Sequence, residues 1–124
     1  MRMRRNRIET YYHRKRIIKQ DSEGSTSEEY GAASSVSGES WPASGKVQAQ
    51  QYGQRLNYIR NIRLNGKYTS QPDDRGNVHF ILEDGTDIQE LDGIHLYTDK
   101  DQKPDYKIIA VKPYRFLTLE VERI

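Results

Sequence analysis

The chain contains no cysteine. Without thiols there is neither a disulfide framework nor a cysteine-based zinc site, and the composition fits a reducing cytoplasm. No apolar run approaches the length needed to span a membrane, so no membrane partner is expected. Phe and Trp are scarce, at two and one, and there are only four prolines. Tyrosine takes the place of the other aromatics, with nine copies. Its ring is apolar and its hydroxyl polar, which suits half-buried strands and wet interfaces. With 124 residues, 34% of them hydrophobic and 31% charged, the chain reads as a single polar domain, 1–124, with a modest core.

Charge is distributed unevenly. Residues 1–19 hold Arg2, Arg4, Arg5, Arg7, Arg14, Lys15, Arg16 and Lys19 against the single acid Glu9, a balance of +7. The whole chain is +2, so the remainder carries −5. A basic arm (1–7 at its tip) on an acidic body points to a polyanion or an acidic neighbour as partner. No apolar segment follows the basic start MRMRRNRIETYYHRKR, so it does not read as a secretory signal.

Periodicity predicts strands more than helices. Residues 8–19 alternate, with Ile8, Thr10 and Tyr12 on one face and Glu9, Tyr11 and His13 on the other. Residues 20–40, QDSEGSTSEEYGAASSVSGES, are rich in Ser, Gly and Glu and read as a long flexible loop with Tyr30 and Val36 as anchors. Residues 45–52 are expected to form a second strand with Val47 and Ala49 on one face. A helical turn near 54–57, a strand over 58–64 and a tight turn at Asn65-Gly66 follow. Residues 69–77 read as a loop. Strands are then expected over 78–82, 93–97, 106–111 and 116–121, with turns at Asp84-Gly85 and 99–104. The expected core is Val47, Ala49, Ile62, Leu64, Ile94, Leu96, Ile108, Leu117, Leu119 and Val121. Short strands at near-regular spacing indicate an all-β fold, a small barrel or sandwich with long flexible loops.

The usual chemical constellations are missing from the sequence. His13, His79 and His95 fall on separate predicted strands with no short ligand spacing, so no metal is expected. The acids around Asp99-Lys100-Asp101 lack the glycine and bidentate glutamate of an EF-hand calcium loop. No serine has a nucleophile motif around it. Asp73-Asp74 and Glu28-Glu29 lie in polar surroundings that would not raise a carboxyl pKa for acid–base work. No catalytic residue, cofactor or enzymatic activity is expected.

The runs KVQAQQYG and RLNYIRNIRLNGKY, and the tail DGIHLYTDKDQKPDYKIIAVKPYRFLTLEVERI, carry a resemblance across most of 41–124. In its order of strands and turns this part resembles the head-closure proteins of tailed bacteriophages, also called head–tail connector or stopper proteins, including those of PBSX-like prophages. The resemblance implies a β-barrel or sandwich with long loops. It implies a homo-oligomeric ring at the head–tail junction of a virion, made in the bacterial host cytoplasm, with a portal or adaptor protein on one side and a tail-completion protein on the other. The isolated chain could then be monomeric. It also implies that a loop, 20–40 or 68–77, projects into the channel and helps retain packaged DNA. The candidate interface or DNA-facing residues are Arg2, Arg4, Arg5, Arg7, Arg14, Lys15, Arg16, Tyr30 and Trp41. The alternative is a small nucleic-acid-binding β-barrel, in which the basic arm would contact phosphates and tyrosines would stack on bases.

Overall fold

Alternating side chains and turn residues build nine strands in the computed structural model, which describes residues 8–124. Six of them, β1 (Glu9–Gln20), β2 (Thr26–Pro42), β3 (Ile59–Leu64), β7 (Gly93–His95), β8 (Tyr106–Pro113) and β9 (Leu117–Arg123), close into an antiparallel barrel in the order β1-β2-β3-β9-β8-β7. The other three, β4 (Tyr68–Pro72), β5 (Val78–Leu82) and β6 (Asp87–Ile88), form a small sheet. The expected all-β small barrel is the observed architecture. Closure removes the exposed edges that an open sheet of this size would leave.

The core follows the period of two. Ile62 and Leu64 of β3, Ile94 of β7, Ile108 of β8, and Leu117, Leu119 and Val121 of β9 are all buried, as expected. Tyr11, Val36, Ile88 and Tyr106 join the same cluster, and Leu96 packs against it half-buried. Ile88 ties the small sheet to the barrel, together with Tyr68, Phe80 and Leu82. Tyr68 and Phe80 meet edge to face at 6.1 Å.

Three expectations are corrected. First, 20–40 is not a long loop: only a turn at 21–25 separates β1 from a 17-residue β2. Composition argued for a loop because Ser, Gly and Glu bury little, but β1 supplies the missing backbone partners along 26–38. Small side chains are also required where β2 crosses onto β3, since a Cβ on Gly38 would lie 2.5 Å from the Arg63 carbonyl oxygen.

Second, 45–52 is not a strand. Lys46–Tyr52 forms helix α1, between Gly45 (φ 91°) and Gly53 (φ 56°). Gln and Ala favour helix, and the apparent alternation of Val47 and Ala49 buries neither; Val47 is 76% exposed. A 3₁₀ turn, Gly53–Tyr58, leads into β3 near the expected position.

Third, the loop expected over 69–77 is confined to 73–77, because Thr69–Pro72 belongs to strand β4, hairpinned onto β5. Its turn is built like the one at 21–25. The Asp73 carboxylate accepts from Arg75 N and Asn77 N at 2.8 and 2.9 Å, and Asp21 accepts from Glu23 N and Ser25 N at 2.9 and 2.8 Å. Each turn has a left-handed glycine three residues after the aspartate, Gly76 and Gly24.

Candidate functional site: the projecting hairpin

The β1–β2 hairpin extends well beyond the barrel. β1 pairs with β7 only over Tyr12, His13 and Arg14, and β2 pairs with β3 only from Gly38 onward. Among the described residues, 16–20 and 26–30 pair only with each other, a two-stranded projection of roughly 16 Å at the usual rise per residue. Two β2 residues, Gly31 and Ala32, face the single residue Lys15, and this bulge marks where the projection leaves the barrel.

Four of the candidate residues, Arg14, Lys15, Arg16 and Tyr30, come together at this base. Arg14 donates through Nε to His95 Nε2 at 3.0 Å and through Nη1 to the Gly31 carbonyl at 2.7 Å. Its Nη2 reaches the Lys100 carbonyl, which joins the hairpin to the 99–104 turn. Because His95 accepts from Arg14, its proton sits on Nδ1, which faces Thr98 Oγ1 at 2.8 Å. Burial and then Arg14 push the His95 pKa down, in keeping with that neutral ring.

Below Lys15 and Arg16 lies the buried carboxylate of Asp92. It contacts His13 Nε2 at 2.7 Å and Lys15 Nζ at 3.2 Å. It accepts from Arg16 N and Gln89 N, both at 3.0 Å. Leu91, the residue before it, adopts φ 74°, a costly conformation for leucine, and its N–H is fixed on the Ile108 carbonyl at 2.7 Å. The link from β6 to β7 is thereby held so that Asp92 lies under the hairpin.

Arg16 also pairs with Glu28 at 2.9 Å. The Arg16 hydrogen bond, then that of Tyr30, lowers the Glu28 pKa. The Tyr30 ring lies against Gly93, where a Cβ would come 3.1 Å from Cδ1. Burial, then the hydrogen bond to Glu28, pushes its hydroxyl up to about 12. Trp41 stands apart at the other end of β2, half-buried, with the Arg63 guanidinium 5.0 Å from its ring centroid. Arg2, Arg4, Arg5 and Arg7 lie outside the described residues.

Sequence reasoning missed two polar sites. One is the contact that holds α1 to the barrel. Asn61 and Glu120 are paired on β3 and β9 and buried on the outer face. Gln48 Nε2 donates to both, at 2.7 and 2.9 Å. Glu120 Oε1 faces the Lys112 ammonium at 3.3 Å.

The other is His79, whose ring lies between Asp87 at 2.8 Å and Asp73 at 3.1 Å. The Asp73 hydrogen bond, then that of Asp87, raises its pKa, although nearby Lys15 opposes the shift. This clamp joins the β4–β5 turn to β6. A raised folded value means that its stabilisation is full below the unfolded value, about 6.5, and is lost as pH rises through the folded value. Amide protection of β5, corrected for intrinsic exchange, is therefore expected to fall with rising pH in the natural chain and to stay flat in His79→Gln. Equal pH dependence in both would remove the clamp from the account.

Among the described residues, no group of three or more His, Cys, Asp or Glu is arranged to hold a metal ion, and no helix is long and apolar enough to cross a membrane. Set against known proteins, the chain matches no family model, no curated protein and no solved structure at a significant level.

Proposed function

We propose that this chain is a structural ring subunit of the head–tail junction in a phage or phage-like particle, where it helps close the DNA-filled head. The observation that carries this reading is the paired hairpin standing off a closed barrel. A barrel supplies a rigid body for a ring, and a two-stranded arm can reach from that ring into a channel. Of the two segments the resemblance offers for that role, the β1–β2 hairpin projects further than the β4–β5 hairpin, which packs on the core through Tyr68, Phe80 and Leu82. The body would sit between a portal or adaptor and a tail-completion protein. Its exposed Tyr58, Tyr97 and Tyr114 suit such wet, aromatic-rich contacts.

The nucleic-acid-binding alternative draws less support. Arg14, Lys15 and Arg16 already have partners within the chain, and redirecting them to phosphates would take Lys15 from Asp92 and Arg16 from Glu28. The test is removal of the gene from the particle's genome. Heads are expected to fill with DNA, fail to retain it and fail to join tails. Heads that keep DNA and take tails normally would overturn the proposal.

A further inference from the structure

The projecting hairpin leaves two backbone edges unpaired. Among the described residues, no strand pairs with β2 over 26–36 on the side away from β1, and none pairs with β1 beyond Arg14 on the side away from β2. The Arg16 N–H already points outward, to Asp92. By the two-residue repeat, Ile18 and Gln20 turn their N–H and C=O groups the same way, with no partner strand beside them. Unpaired edges of this kind are templates for strand addition, and natural proteins usually block them with proline or inward-pointing charge. Neither residues 16–20 nor residues 26–36 contain proline. Ile17 and Ile18 are exposed on the projection. Open grooves of about 500 and 730 Å³ lie at its base, one touching it at Arg16 and the other between Glu28, Glu29 and Tyr30 and the 101–104 turn.

The charges identify what would pair there. The register puts Arg16, Ile18, Glu28 and Tyr30 on one face of the hairpin, and Ile17, Lys19 and Glu29 on the other. On both faces the cation is on β1 and the anion on β2, joined as Arg16–Glu28 and Lys19–Glu29 at 2.9 Å. One edge is thus basic and the opposite edge acidic. A symmetric antiparallel pairing of two β1 edges would bring two basic strands together with no acid on either side of the seam. A head-to-tail pairing, β2 of one copy beside β1 of the next, alternates the signs on both faces and continues the antiparallel order.

We infer that hairpins of neighbouring copies join edge to edge, β2 to β1, into one continuous sheet. The inference rests on the ring-subunit reading and names the contact that would make the ring. A heterologous contact of this kind closes on itself when the rotation per subunit allows it. Five-residue edges are too small to hold two free chains, so the contact gains strength only when every copy makes it twice.

The absence of native cysteine makes the test direct. Chains carrying Ile18→Cys are mixed with chains carrying Thr26→Cys, and the multimeric fraction is treated with a short bifunctional maleimide. Both positions are exposed and share a face, so neither change should disturb the fold. Cross-linked dimer is expected from the mixture and from neither variant alone. Ile18→Pro, which removes an outward N–H, is expected to weaken association at least tenfold while the monomer's melting temperature stays within a few degrees. Dimer from Ile18→Cys alone would show symmetric pairing and overturn the inference. Multimers without the cross-link would overturn it too, yet leave the ring reading intact. A chain that stays monomeric at every concentration and on portal-bearing heads would overturn both.

Discussion

Leu119→Ala is expected to destabilise the protein by about 2–5 kcal/mol, the range for a buried leucine that leaves a cavity. Leu119 has no exposed surface and lies between Ile62 of β3 and Val111 of β8 in the barrel wall. Barrel closure lets the surroundings relax little, which favours the upper part of that range. Chemical denaturation of the natural and variant chains measures the difference. A cost below about 0.5 kcal/mol, the scale of neutral surface changes, would place Leu119 outside the core and break the assigned strand phase.

Asp92→Ala is expected to cost about 3–5 kcal/mol, as when one partner of a buried charged pair is removed. The carboxylate takes two backbone N–H groups and contacts both His13 and Lys15. All four would lose it together, at the point where the hairpin leaves the barrel. Asp92→Asn keeps the shape and part of the hydrogen bonding and is expected to fall between. Amide exchange should show residues 14–16 losing protection first. Full stability in Asp92→Ala would mean that the network does not brace the hairpin.

The barrel was largely legible because its last strands keep a clean period. Leu117, Leu119 and Val121 alternate with polar residues, and Ile62 with Leu64 mark β3 in the same way. Elsewhere, the local sequence misled. Lys46–Tyr52 shows an alternation too short to separate strand from helix, and its Gln and Ala content was the better guide. β2 owes its order to pairing partners far along the chain, which its own small polar residues do not announce. A signal was available in the turns. Asp21 with Gly24, and Asp73 with Gly76, share the spacing of a hairpin turn, and each read as a loop because the flanking residues are polar.

The site was half legible. The tract Arg14, Lys15 and Arg16 stood out as charge, and Tyr30 as an anchor. That Asp92, more than seventy residues away, pairs with Lys15 and accepts from the Arg16 N–H could not be read, because only closure of the barrel brings β6 and β7 beside β1. Tyr11 and His13 share a face as expected, but the side that faces the core is set by this same closure.

The central claim is that the hairpin works as a mechanical arm of a ring that holds DNA in the head. It is tested most directly by joining Lys15 to Gly31 through a two-residue turn, which deletes the projection and leaves the barrel whole. Retained DNA per filled head is then measured in particles carrying this shortened chain. The account expects filled heads that still bind the chain but lose most of their DNA before tails join. Heads that retain DNA as well as those with the full hairpin would contradict it.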